Sequence, residues 1–251
     1  MKFKNDLISK LNLNISKLTN MTVGDGYYDF PTLYCNISNP PDYIALYSQP
    51  CDYHHTENTA LSFYDYDDKF DGENGLYNAI YYNKENRLDY FKTRFSGIKY
   101  FILPDYSICG DIQTYRNLHR IGRAREVGIW LSTNLKAHCL PNIGVCDEKT
   151  LSIVLDGLKN VNAIAFSTKG KTSKEDLELL QLSIDKAINE LINLEYIIVY
   201  DVSSDNKKID ILFSKAIKKG IKVIVPNNLL KTRNRILSNQ RAKCVQQDIQ
   251  H

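Results

Sequence analysis

Short apolar runs that end in polar residues recur along this chain, separated by stretches with helical spacing. This alternation constrains the fold more than any single motif does. The clearest unit spans residues 100–133. It begins Tyr-Phe-Ile-Leu-Pro-Asp-Tyr-Ser, continues as an Arg-rich helical run and ends Val-Gly-Ile-Trp-Leu-Ser-Thr. Strand, crossover helix and strand fit in about 34 residues, the size of a βαβ unit. Eight runs read as strands: residues 43–47, 60–64, 100–103, 127–131, 138–140, 163–166, 196–200 and 222–225. Most are continuously apolar rather than alternating, as strands buried on both faces are. Helical spacing is predicted over 73–95, 111–126, 148–158, 173–194, 206–219 and 229–237. Ser173 is the expected N-cap of its helix, with Glu175, Asp176 and Glu178 favourable against the N-terminal dipole. Lysines 218 and 219 followed by Gly220 read as a helix stop. Strands alternating with helices imply a parallel sheet. Eight strands in about 185 residues predict an α/β fold that is (β/α)8-barrel-like, compact or distorted. An open, parallel, doubly wound sheet is the alternative. Its Gly-x-Gly-x-x-Gly phosphate loop occurs nowhere in the chain.

Three segments are expected. Residues 1–42 combine an amphipathic helix, with Leu7, Ile8, Leu11, Ile15 and Leu18 on one face, and a turn-rich entry segment. Residues 43–240 form a single α/β domain, and 241–251 a polar, basic tail. The net charge of +3 is too small to demand a polyanionic partner. No apolar run approaches the roughly 20 residues of a membrane span, so no membrane partner is expected. Lys2, Lys4, Asp6 and Lys10 interrupt any signal-peptide core, which predicts a cytoplasmic protein. The six cysteines lack a Cys-x-x-Cys pair, consistent with thiols in a reducing compartment.

In both architectures ligands bind beyond the carboxyl ends of the strands. Polar residues follow nearly every predicted strand, among them Ser48, Asp65, Asp67, Asp105, Ser132, Thr133, Asn134 and Asn228. Asp65, Asp105 and Asp201 are the candidates for acid/base catalysis, or for holding a divalent cation through oxygen. Ser107, Asn142, Ser167, Thr168 and Lys169 are the candidate ligand-binding set, the last three for phosphate. The bland reading of each is a helix cap or turn former. Cys51, His54 and His55 lie close together but lack the paired spacing of a zinc site, so no metal site is predicted there. Arg116, Arg120 and Arg123 share one helix face, which reads as solvated or paired with acids such as Asp111 and Glu126. Lys231, Arg233, Arg235, Arg241 and Lys243 form a basic C-terminal cluster. Of these Arg233, Arg235, Arg241 and Lys243 are the nucleic-acid candidates.

The same strand ends carry a family resemblance. Leu103-Pro104-Asp105-Tyr106-Ser107 resembles the S-P-D-F-S strand end of the DUF4417 family, and Asp111 with Tyr115-Arg116 matches its following helix. Leu140-Pro141-Asn142-Ile143 is similar to its I-P-T-V-S-W strand. Residues 163–170 resemble V-A-V-S-T-x-G, residues 196–200 I-L-V-Y-G, and residues 63–67 the earlier F-x-x-D-D strand. The resemblance covers residues 60–201. Gly144-Val145 stands where the family has Ser-Trp, and Asp201 where it has Gly. It implies a setting in bacteria, phages and other mobile elements and assigns no activity. It raises Asp105, Ser107, Asn142, Ser167 and Thr168 above the other candidates. Three functions follow as expectations. The first is a polar pocket for a phosphate-bearing ligand, a nucleotide or nucleic acid. The second is a non-catalytic protein that binds a host protein. The third is a DNA-binding replication accessory. These residues fit an enzyme and a binding protein alike, and the cofactor stays open, a divalent cation included.

Overall fold

The computed structural model describes residues 22–204 and 207–248, with side chains described as far as residue 240. The amphipathic helix expected before residue 22 and the side chains of Arg241 and Lys243 lie outside the described residues. The entry segment forms an antiparallel pair, β1 (Gly24–Asp25) and β2 (Phe30–Pro31), then β3 (Tyr34–Cys35). Four parallel strands follow in spatial order: β4 (Tyr43–Leu46), β5 (Thr59–Ser62), β6 (Tyr100–Ile102) and β7 (His138–Leu140). Short β8 (Asn160–Val161) pairs with β3 in parallel. A second parallel sheet contains β9 (Ala163–Ser167), β10 (Tyr196–Tyr200) and β11 (Lys222–Ile224), with β10 in the middle. The fold is thus mixed α/β with several parallel sheets. Single parallel bridges join the two larger sheets, Asn142 to Ala165 and Tyr43 to Asn227. Each bridge carries two backbone hydrogen bonds: Ile143 N to Ala165 O and Ala165 N to Pro141 O, then Ile44 N to Asn227 O and Asn227 N to Asp42 O.

Strands β4, β5, β6 and β10 are buried along their whole length, and β9 in all but its last residue. Their apolar side chains, with those of the flanking helices, make one large core. Both faces are covered, which is why these runs are continuous rather than alternating.

The helices are α1 (Asp67–Phe70), α2 (Leu76–Tyr81), α3 (Glu85–Arg94), α4 (Thr114–Leu135), α5 (Glu148–Ile153), α6 (Lys174–Glu190), α7 (Lys207–Leu212), α8 (Ser214–Lys218) and α9 (Leu229–Asp248). Ser173 caps α6 through Oγ, which accepts from Asp176 N at 3.0 Å. The crossover at residues 48–59 holds only a 3-10 turn, Pro50–Asp52.

One expected strand is absent. Residues 127–131 lie inside α4, so seven of the eight predicted runs form parallel strands. Val127 through Leu131 are all buried. A helix buried all round has no polar stripe, and over five residues it cannot be told from a buried strand by periodicity. Ser132, Thr133 and Asn134 are therefore helical residues rather than a strand end. Ser132 Oγ donates to Ile129 O and Asn134 Nδ2 to Trp130 O, both within α4.

Gly128 shows how closely α4 seats. A Cβ there would meet Leu103 Cδ1 at 2.8 Å and Leu33 Cδ2 at 3.3 Å. Leu103 is fully buried and has little room to yield. Gly128→Val is expected to cost about 2 kcal/mol through overpacking, read from the urea midpoint. An unchanged midpoint would mean that this helix face is loosely packed.

Candidate functional site

Because the strands are parallel, their carboxyl ends open on one side, and a cavity of about 440 Å³ lies there. Tyr64 and Asp65 reach it from the end of β5, Asp105 and Ser107 from β6, and Asn142 from β7. Ser167, Lys169 and Lys171 come from the end of β9, while Leu180 and Ser183 of α6 form one wall.

The centre of the site is a three-residue chain of hydrogen bonds. Tyr64 O–H donates to Asn142 Oδ1 at 2.7 Å, and Asn142 Nδ2 donates to Asp105 Oδ1 at 2.6 Å. The Tyr64 bond occupies the amide oxygen, so only the NH2 of Asn142 faces the carboxyl. Tyr64 is held in turn by stacking on Tyr200, with ring centroids 4.9 Å apart. Burial pushes Asp105 up to about 6, against the pull of the Lys171 charge and the Asn142 bond, and Asp67 adds a small upward push. A carboxyl in that range exchanges its proton near neutrality. Gly144 makes the close approach possible, since a Cβ there would stand 3.3 Å from Asp105 Oδ1.

The neighbouring carboxylates are committed to structure. Asp65 accepts from Ser48 N and Ser48 Oγ, both at 2.9 Å, and so ties the ends of β4 and β5 together. Asp67 accepts from Ser107 N at 3.3 Å. Arg120 Nη1 donates to Ser107 O on the same loop. Asp201 does not line the cavity. Its Oδ1 accepts from Thr168 Oγ1 at 2.6 Å and its Oδ2 pairs with buried Lys231 at 3.4 Å. Thr168 therefore turns away from the pocket that its neighbours Ser167 and Lys169 line. Of the eight candidates from the catalytic and ligand-binding sets, six meet in one cavity and two, Thr168 and Asp201, meet each other beside it.

Sequence reasoning did not place Tyr64, Gly144 or Lys171 among the site candidates. A signal existed for two of them: Tyr64 sits in the F-x-x-D-D resemblance, and Lys171 follows Gly170, the last residue of the V-A-V-S-T-x-G resemblance. The Arg-bearing face of α4 is not simply solvated. Arg123 pairs with Asp71 and lies between the rings of Tyr77 and Tyr106, at 4.2 and 4.4 Å. Lys231, read as part of the basic C-terminal cluster, is buried and paired with Asp201. Arg233 and Arg235 are exposed on α9. Cys51 and His54 are exposed, and His55 stacks on Tyr43 at 3.8 Å. Among the described residues no three His, Cys, Asp or Glu side chains gather as a metal site.

A family model described as a domain of unknown function, DUF4417, matches residues 23–218. No curated protein and no solved structure matches the chain. Among the described residues no helix is long and apolar enough to cross a membrane.

Proposed function

The chain belongs to the DUF4417 family, and from that premise we propose that its pocket binds a phosphate-bearing small molecule, a nucleotide. The observation that carries this reading is the convergence of one half-buried carboxyl from the end of β6 and two lysines from the end of β9 on a single cavity. Its volume of about 440 Å³ falls within the roughly 300–1,000 Å³ common for small-molecule sites. Lys169 and Lys171 supply positive charge, and the hydroxyl of Ser167 supplies a donor to phosphate oxygen. Tyr66 stands 81% exposed at the rim, a ring on which a base can stack. Asp105 is the acid/base group. Asn142 occupies Oδ1, which leaves Oδ2 to take or give the proton. The two sheet-joining bridges support a finer architecture, in which the seven parallel strands close into one barrel with this pocket at its mouth.

Calorimetric titration with a nucleoside and its mono-, di- and triphosphates tests the reading. Affinity is expected to rise with phosphate count. Lys169→Ala/Lys171→Ala is expected to weaken the phosphorylated ligands about 10- to 100-fold, the loss of two charge-assisted contacts, and to leave the nucleoside unchanged. No heat with any nucleotide would end this reading.

A further inference from the structure

Helix α9 is rooted at one end and free along its length. Its first two turns are fixed at the end of β10. Asn228 Nδ2 donates to Asp201 O, Lys231 pairs with the Asp201 carboxylate, and Asn234 Nδ2 donates to Val202 O. From Thr232 to Gln240 all nine consecutive residues are exposed. A helix lying on a domain buries a row of side chains every three or four residues. This stretch buries none, so it stands clear over about 13 Å. The arm is also of one charge. Residues 229–247 contain five Lys or Arg and no Asp or Glu. Lys231 is paired with Asp201. Arg233 and Arg235 are exposed, and neither has an ion-pair partner among the described residues. Arg241 and Lys243 follow in the same helix. The arginines of α4 differ: Arg120 donates to Ser107 O, Arg123 pairs with Asp71, and buried Arg125 donates to Val154 O. A polar helix with no packed face is marginal by itself and draws stability from what it meets.

We propose that α9 is a docking arm for double-stranded DNA, with the helix seated in the major groove. Charge names the partner, because an arm with cations and no acids is complementary to a row of phosphates. Geometry names the groove. The major groove of B-form DNA is about 12 Å wide and admits an α-helix, provided that the helix is not covered by its own domain. From Thr232 to Gln240 α9 meets that condition. Residues two apart on a helix lie about 200° apart around its axis. Arg233 and Arg235 therefore sit on opposite sides, each towards one phosphate wall of the groove. Asn239 and Gln240, one turn on, carry the amides that pair with an adenine edge. A-form RNA is a poorer fit, since its major groove is deep and narrow. A second copy of this chain is also a poorer fit. Leu230, Leu237 and Cys244 recur once per heptad, while the other seam positions are Arg233 and Gln240. Two such arms would also repel each other. The arm is separate from the pocket, and the proposal does not rest on the nucleotide reading.

Fluorescence anisotropy of the full chain with a labelled DNA duplex of about 20 base pairs, from about 50 to 200 mM salt, tests this. Binding is expected, with a log–log salt slope of about −3 to −4, from phosphate contacts by Arg233, Arg235, Arg241 and Lys243. Arg233→Gln/Arg235→Gln is expected to halve the slope roughly and to weaken binding about 10- to 100-fold near 0.1 M salt. Both side chains are exposed, so the variant's urea midpoint and nucleotide affinity are expected to match wild type. A single strand of the same length and a double-stranded RNA are expected to bind about tenfold more weakly than the duplex. No binding at low salt, or an unchanged duplex affinity in the variant, would overturn the proposal. Equal affinity for the single strand or for heparin would also overturn it and mark the arm as a general polyanion contact. A dimer that dissociates in Leu237→Asp, with no DNA binding, would assign the arm to a second copy. If the double variant shifts the urea midpoint, the slope and duplex preference of the wild-type chain decide. Duplex binding by a protein that takes up no nucleotide keeps the arm and removes the pocket reading, and the reverse result removes the arm alone.

Discussion

Lys231→Met is expected to remove about 3–5 kcal/mol of folding stability at pH 7, the cost of stripping one partner from a buried ion pair. Lys231 is 1% exposed and Asp201 3%. Around their contact, Lys231 N donates to Asn228 Oδ1 and Asn228 Nδ2 donates to Asp201 O, each at 2.9 Å. Thr168 and Ser203 both donate to the Asp201 carboxylate. The cluster thereby fastens the ends of β9 and β10 to the start of α9. Burial alone would raise the Asp201 carboxyl. The donors from Ser203 and Thr168 and the Lys231 charge outweigh it and hold the carboxyl below its ordinary value. A carboxylate with a lowered folded pKa stabilises the protein above its unfolded value, near 4, and loses that contribution as pH falls through the folded value. The loss in Lys231→Met is therefore full at pH 7 and shrinks below pH 4. Adding Asp201→Asn to the same chain removes the stranded charge and is expected to recover most of the loss. Urea denaturation of the two variants at pH 7 and pH 3.5 measures this. A Lys231→Met variant within 1 kcal/mol of wild type at pH 7 would mean that the pair contributes little.

The strands and the pocket became legible in the sequence for different reasons. Runs such as 163–166 and 196–200 are apolar at every position because both faces of the strands are covered, a pattern local enough to read directly. Residues 127–131 show the same pattern for a different cause, burial of a helix on all sides, and the pattern does not distinguish the two. For the site, a parallel sheet puts all strand ends on one side. That geometry picks out Asp105, Asn142 and Ser167 without any motif. The rule gives the end of the strand and not the direction of each side chain. Successive residues point to opposite sides, so Ser167 and Lys169 face the cavity while Thr168 faces Asp201. Long-range pairing stayed invisible. Lys231 looks like one more surface lysine until Asp201, 30 positions earlier, is brought against it. Arg125 lies among exposed and half-buried arginines of one basic helix. Nothing in its immediate neighbours marks it as the buried one, because the surface that covers it comes from other elements, including the Val154 carbonyl.

Asp105→Asn is expected to make the protein more stable at high pH while changing what the pocket does. The folded-state value of Asp105, about 6, lies above that of an ordinary aspartate. The folded state therefore holds the proton more tightly than the unfolded chain. Above pH 6 the ionised, partly desolvated carboxylate opposes folding, and that penalty disappears as pH falls towards 4. Asparagine has nearly the same shape and no charge, and its amide oxygen can still accept from Asn142 Nδ2. At pH 8 the variant is expected to gain about 1–2 kcal/mol, allowing for water at the open mouth. At pH 4 it is expected to match wild type. Anion binding should follow the same titration. Ionised Asp105 repels a phosphate held by Lys169 and Lys171, so wild-type affinity is expected to fall relative to the variant by about tenfold between pH 5 and pH 8, the size of one charge–charge contact near a protein surface. The ligand's own titration is common to both proteins and cancels in the ratio. If the pocket also catalyses a reaction, the variant loses its proton acceptor and turnover is expected to drop by about 10²–10⁴. Greater stability, tighter anion binding and lost turnover together would identify Asp105 as a group kept for its proton at the expense of stability. Superimposable stability profiles of variant and wild type from pH 4 to 8 would show instead that the carboxyl is solvated and ordinary, and the acid/base role would fall with it.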